Sequence, residues 1–163
     1  MSNLPPAIDQ PALENLLTGF RDTAWSWTPD GFPELARRFG WQIVDEDENG
    51  AAADVPWPAP EEAVQTTYRR GGVDDVTITL ATVIGYDGAP PEFLVDVFAT
   101  AVRTATAVLG PPTHRKPGAH PVVRWRGEQR TIQIERLTNA VNLVWEDNAV
   151  QDIWDGYDEG AVP

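Results

Sequence analysis

Residues 121–147 read PVVRWRGEQRTIQIERLTNAVNLVWED, and the fold is decided by how this stretch alternates. Three runs, PVVRWR, RTIQIERL and AVNLVWED, place apolar and polar residues in strict succession, the period of a half-buried strand. Gly127-Glu128 and Thr138-Asn139 separate them as tight turns, so the stretch predicts a three-stranded antiparallel meander. Val123, Trp125, Ile132, Ile134, Val141, Leu143 and Trp145 share the core face. The opposite parity carries Arg124, Arg126, Gln133, Glu135, Asn142 and Glu146, a polar outer face with both signs of charge.

Outward from the meander, PPEFLVDVFATAVRTATAVLGPP (90–112) is the clearest helix. Its stripe runs through Leu94, Val97, Phe98, Ala101, Val102, Ala105, Val108 and Leu109, and Gly110 with two prolines stops it. This is the helix expected to pack on the sheet. Residues 113–120, THRKPGAH, read as a loop. Upstream, WQIVD, AVQTTYRR and DDVTITLATVIGY carry strand composition, with a possible extra strand near 51–55. Two short amphipathic helices precede them. One follows Asp9 with Leu13, Leu16, Leu17 and Phe20 on one stripe; the other starts from Thr28 as N-cap and ends at Gly40. A last helix over 148–160 is expected to bury Val150, Ile153 and Trp154. Helices and strands in this order predict a single α+β domain over 1–163, mainly an antiparallel sheet with helices packed on one face.

The charge balance bears on partners. The 163 residues hold 25 acids against 12 bases, a net charge of −13, which repels nucleic acid and anionic membrane and attracts a basic protein at long range. No apolar run approaches the roughly 20 residues of a membrane span, and the start, MSNLPPAIDQ, lacks a signal-peptide pattern, so a cytoplasmic location is expected. The absence of cysteine excludes disulfides and thiolate chemistry.

Within this acidity, DEDENG (45–50) has the D-x-D-x-N-G spacing that opens a calcium loop. Such a loop needs a bidentate acid at its twelfth position, which here is Pro56. Asn49-Gly50 instead reads as the turn of a hairpin with arms on either side. The turn lies in an acidic block of Asp45, Glu46, Asp47, Glu48, Asp54, Glu61 and Glu62 with no intervening base. The C-terminal end forms a second block with Glu146, Asp147, Asp152, Asp155, Asp158 and Glu159.

Catalytic groups are sparse. Ser2 and Ser26 are the only serines, Lys116 the only lysine, and His114 and His120 the only histidines, at a spacing unlike a helical zinc pair. Arg115, Lys116, Arg124, Arg126, Arg130 and Arg136 gather late, but Glu128, Glu135 and Glu146 are interleaved among them, which suits cross-strand pairing better than nucleic-acid binding. Of the seven tryptophans, Trp41, Trp125, Trp145 and Trp154 suit core positions, whereas Trp25, Trp27 and Trp57 lie in loops.

WSWTPDGFPELARRFGW (25–41) together with residues 121–147 resembles small proteins of high-GC actinobacteria of the toxin-immunity type. The resemblance implies a cytoplasmic immunity protein and carries no catalytic residue with it. The element order is also similar to the secretion-chaperone α+β fold.

The expectation from these observations is a non-enzymatic acidic protein, without metal or cofactor, that occludes a basic protein partner. The two acidic blocks would steer the partner and an aromatic would anchor it, through Asp45, Glu46, Asp47, Glu48, Trp57, Asp152, Asp155 and Asp158. A chaperone for a secreted protein is the alternative, and a small metal-dependent enzyme the third reading.

Overall fold

The computed structural model describes residues 4–160, and of the final helix it leaves out the side chains of Trp154 and residues 157–160. Eight strands form one antiparallel sheet: β1 (Gln42–Asp47), β2 (Gly50–Asp54), β3 (Val64–Arg69), β4 (Gly72–Thr82), β5 (His114–Lys116), β6 (Val122–Arg126), β7 (Arg130–Arg136) and β8 (Ala140–Asp147). Their order is β1-β2-β3-β4-β8-β7-β6-β5, two four-stranded meanders joined at the centre by β4 and β8. The α+β class, the antiparallel sheet and the meander over 121–147 are as the alternation predicts.

Four helices accompany the sheet: α1 (Gln10–Asp22), α2 (Phe32–Phe39), α3 (Phe93–Leu109) and α4 (Asn148–Gly160). The Asp9 carboxylate accepts the Ala12 N–H at 2.9 Å and starts α1, because the first turn of a helix has donors without internal partners. Thr28 does not cap α2 directly. A 3-10 turn over Pro29–Gly31 intervenes, and α2 then ends at Gly40 in the left-handed conformation. The α3 helix connects the two meanders, packs against α1 and lies over β4, β7 and β8. Its most buried residues are Leu94, Ala101, Thr104 and Ala105, while Val97, Phe98, Val102, Val108 and Leu109 are partly buried at the margin.

The core fills the space between α1, α2 and α3 and one face of the sheet, whereas α4 lies on the opposite face, against Arg124 and Arg126, so the expectation of helices on one face holds for three of the four. All seven inward residues expected of the meander are buried, and Ile134, Val141 and Leu143 are inaccessible to solvent. The Phe20 ring of α1 stacks on Trp145 of β8 at 4.4 Å, which ties the helix layer to the sheet centre. Each large aliphatic side chain buried in this way contributes about 1.5–3 kcal/mol of transfer free energy.

Two expectations change. Residues 114–116 are a strand, not a loop: β5 pairs with β6 through His114↔Arg124 and Lys116↔Val122. All three of its residues are exposed, so no apolar alternation marks it in the sequence. Helix α4 does not bury an apolar seam of Val150 and Ile153. Ile153 is 50% exposed, Val150 is half-buried, and the buried residues of the first turn are the polar Asn148 and Gln151. The physical reason is the surface α4 meets, which is the polar face of β6 and β7; the Trp154 side chain lies outside the described residues.

Candidate functional site

The acidic hairpin sits at a free edge of the sheet, since β1 pairs with β2 alone. Its register shifts between Ile43 and Asp45, so Val44 is an extra residue that projects 46% exposed. Opposite Ala52 and Gly50, Asp45 and Asp47 lie on the sheet face away from the helix layer, and Glu46 opposite Ala51 lies on the helix side. In the turn, the Asp47 carboxylate accepts the N–H groups of Asn49 and Gly50, at 2.7 and 3.2 Å. DEDENG is thus a hairpin turn held by Asp47.

Glycine is required at position 50 for a different reason from the one the dipeptide suggests. Gly50 does not have a positive φ, and neither does Asn49. A Cβ at position 50 would instead run into the Thr66 carbonyl oxygen, because β3 passes close beside this point.

Glu46 accepts a 2.8 Å hydrogen bond from the Tyr68 hydroxyl. Burial, and then the Glu46 carboxylate, push the Tyr68 phenol well above its ordinary value, so the phenol stays protonated and the bond is kept. Glu46, Asp47, Glu48 and Asn49 line an open cleft of about 760 Å³ together with Pro29, Asp30 and Pro33 and with Tyr68, Arg69, Arg70 and Gly71. No described base forms an ion pair with Asp45, Glu46, Asp47 or Glu48.

The second acidic block is used differently. Asp155 meets Arg124 at 3.2 Å, Asp152 meets Arg126 at 2.9 Å, and Asp147 meets Arg130 at 2.9 Å. Arg124, Arg126 and Arg130 therefore pair with α4 and the end of β8, not with Glu128, Glu135 and Glu146 as cross-strand spacing suggests. Asp158 lies outside the described side chains. Nor do the two blocks adjoin: β2, β3 and β4 separate β1 from β8, four strand spacings or about 19 Å.

Trp57 lies among Asp9, Ala12, Asn15, Leu16, Phe39 and Pro56, half-buried against α1 and the end of α2. Its indole Nε1 is shielded and has no hydrogen-bond partner. It is not among the residues that line the acidic cleft.

Pattern reading passes over one pair of acids. Asp75 of β4 stands opposite Glu146 of β8 on the face away from α1 and α3. Burial comes first, then neighbouring carboxylates, Asp74 for Asp75 and Asp75 for Glu146; Asp75 is pushed up to about 6 and Glu146 to about 7. The signal was present as two strand acids of matching parity, but Asp75 and Glu146 are 71 residues apart in the chain, and only the pairing of β4 with β8 brings them together. Among the described residues, no group of three or more His, Asp or Glu side chains is placed to hold a metal ion. His114 and His120 are bound separately, to Thr113 and Thr138.

A sequence profile of DUF6301, a family of unknown function, matches residues 11–147, and the chain belongs to that family. The matched span runs from α1 through β8 and so takes in the whole sheet and the acidic hairpin. No curated protein and no solved structure matches the chain. No helix among the described residues is long and apolar enough to cross a membrane.

Proposed function

We propose that this chain is an acidic protein-binding protein without catalytic activity, acting in the cytoplasm as an immunity protein that occludes a basic partner. The observation that carries the reading is the state of the β1–β2 hairpin. Four consecutive acids, Asp45 to Glu48, stand exposed at a free sheet edge beside an open cleft, and no described base pairs with them. Unpaired carboxylates so close together repel one another, and a cationic surface would relieve that repulsion while steering its own approach. The α4 acids have a lesser part, because Asp152 and Asp155 already hold α4 to the sheet.

The test is capture of a partner from lysate of the native host in steps of rising salt, with the wild type beside a variant carrying Asp45→Asn, Glu46→Gln and Glu48→Gln. A folded basic protein that the wild type holds at low salt should associate with the variant about tenfold more slowly, with a flatter salt dependence. Co-expression of the captured protein with and without this chain then tests neutralisation of its toxicity. Equal association rates for wild type and variant would refute the acidic edge as the docking element.

A chaperone role is the second reading. It is favoured by the sheet face away from α1 and α3, where Gln65 and Thr67 of β3 are exposed beyond the part that α4 covers. That reading requires capture of an unfolded or extended chain in place of a folded one.

A further inference from the structure

Helix α4 joins the sheet through polar and charged groups. Its first residue is firmly held. The Asn148 Oδ1 accepts the Thr131 hydroxyl, its Nδ2–H donates to the Gly127 carbonyl at 2.9 Å, and its backbone N–H donates to the Gln129 carbonyl at 3.0 Å. Further along, Ile153 is half exposed, and the described hydrogen bonds to the sheet run from Arg126 to Gln151 and Asp152 and from Arg124 to Asp155. Partly exposed ion pairs of this kind hold weakly. Asp155 lies seven residues past Asn148, about 10 Å along a helix, so α4 has one fixed end and one end fastened by charge.

The fastened end sits over carboxylates. Arg124, Glu135, Glu146, Gln151 and Asp155 line one cleft of about 450 Å³ between α4 and the outer face of the sheet. Asp75 of β4 stands directly opposite Glu146, and Arg126 of β6 faces Asp152 of α4. His114, Arg115 and Lys116 line the cleft from β5, the exposed edge strand. Of the four acids gathered here, only Asp155 has a described ion pair, with Arg124; Asp75, Glu135 and Glu146 have none. Arg124 is mostly buried between Gln133 and Asp155, and a second ionised carboxylate in the same cleft competes for it.

We propose that α4 is a proton-governed clasp on the outer sheet face, fastened when Glu146 is protonated and lifted when Glu146 ionises. With Glu146 neutral, Arg124 is left to Asp155 and the helix lies on the sheet. With Glu146 ionised, Arg124 turns to it, Asp155 is repelled, and the helix swings about Asn148 to uncover the outer face of β6 and β7. Linkage gives the same sign. Burial and then Asp75 raise the Glu146 carboxyl to about 7; Arg124 opposes the rise and Asp155 adds to it. Since Asp155 belongs to α4, the docked helix favours the Glu146 proton, and the proton reciprocally favours the docked helix. Docking is therefore complete on the acid side and is lost as pH rises through about 7. The titrating group is separate from the acidic hairpin, so failure of either proposal leaves the other standing.

The experiment is amide hydrogen exchange of the full chain at pH 6 and pH 8.5, with each rate corrected for its intrinsic pH dependence. Protection over residues 149–155 should fall about tenfold at the higher pH, the effect of a one-unit difference in the Glu146 carboxyl between docked and lifted helix. At both pH values it should stay below the protection of β7 and β8, because the helix opens while the sheet remains closed. Glu146→Gln keeps the shape of the neutral acid and should hold α4 at its pH 6 protection throughout. Equal wild-type protection at the two pH values would overturn the proposal, as would an undiminished pH dependence in Glu146→Gln. Protection of α4 equal to that of β7 and β8 would show that the helix parts only when the whole chain unfolds, and would overturn it too.

Discussion

Asp75 and Glu146 face each other across the central β4–β8 ladder, two half-buried carboxylates on directly opposed residues. Like charges in this position oppose strand pairing, and the ladder is maintained because burial, and then neighbouring carboxylates, raise both groups towards neutrality. The centre of the sheet is therefore linked to pH.

The direction follows from proton counts. With Asp75 at about 6 and Glu146 at about 7 in the folded chain, against ordinary values of 3.8 and 4.5, the folded state binds more protons between pH 4 and pH 7. This contribution to stability is complete below the ordinary values and is lost as pH rises through the folded ones. Urea unfolding should accordingly give a higher midpoint at pH 5 than at pH 8. Glu146→Gln should stabilise the chain at pH 8 by about 1–3 kcal/mol and reduce the difference between the two pH values. An unchanged midpoint at pH 8 would remove the pair as the cause.

At the hairpin, Gly50→Ala should destabilise by about 1–3 kcal/mol, because the new Cβ meets the Thr66 carbonyl of β3. Gly50→Asn should be no better, since φ at 50 is not left-handed. Gly71 is the contrast: with φ +77 and open space around it, Gly71→Asn should cost less than Gly71→Ala. Thermal unfolding of the four variants separates steric clash from backbone conformation.

Helix α4 is held to the sheet by Arg124–Asp155 and Arg126–Asp152, partly exposed pairs worth about 0.2–1 kcal/mol each. Replacing both arginines by glutamine should speed amide exchange over residues 148–155 by up to about tenfold, with β7 and β8 unaffected. If protection is unchanged, α4 is held by other contacts.

Leu143→Ala in β8 should cost about 2–5 kcal/mol, since the side chain is wholly buried and its space cannot collapse. Ile153→Ala on α4 should stay within about 0.5 kcal/mol of the wild type, as expected for a residue half exposed. Equal losses at the two positions would mean that α4 buries the seam its sequence suggests.

The chain's own residues determined the parts of this fold that depend on local periodicity. The meander of 121–147, the stripe of α1 and the stop of α3 at Gly110 were legible because each element meets the core along one face, and that requirement is written as a period of 2 or 3.6. Strand β5 was not legible, because its three residues meet only water and the backbone of β6. The acidic hairpin was readable as a turn, but the reason for Gly50 was not, since it lies in the path of β3.

Tertiary structure alone decided where the charges went. Two acidic blocks look alike as sequence. The fold leaves Asp45–Glu48 on a free edge without a described ion pair, and brings Asp152 and Asp155 onto the arginines of β6. It also pairs β4 with β8, which sets Asp75 beside Glu146, 71 residues away in the chain. Local pattern reports which face of an element is apolar. Which elements become neighbours is settled by the shape that buries all those faces together, and the electrostatics follow from that packing.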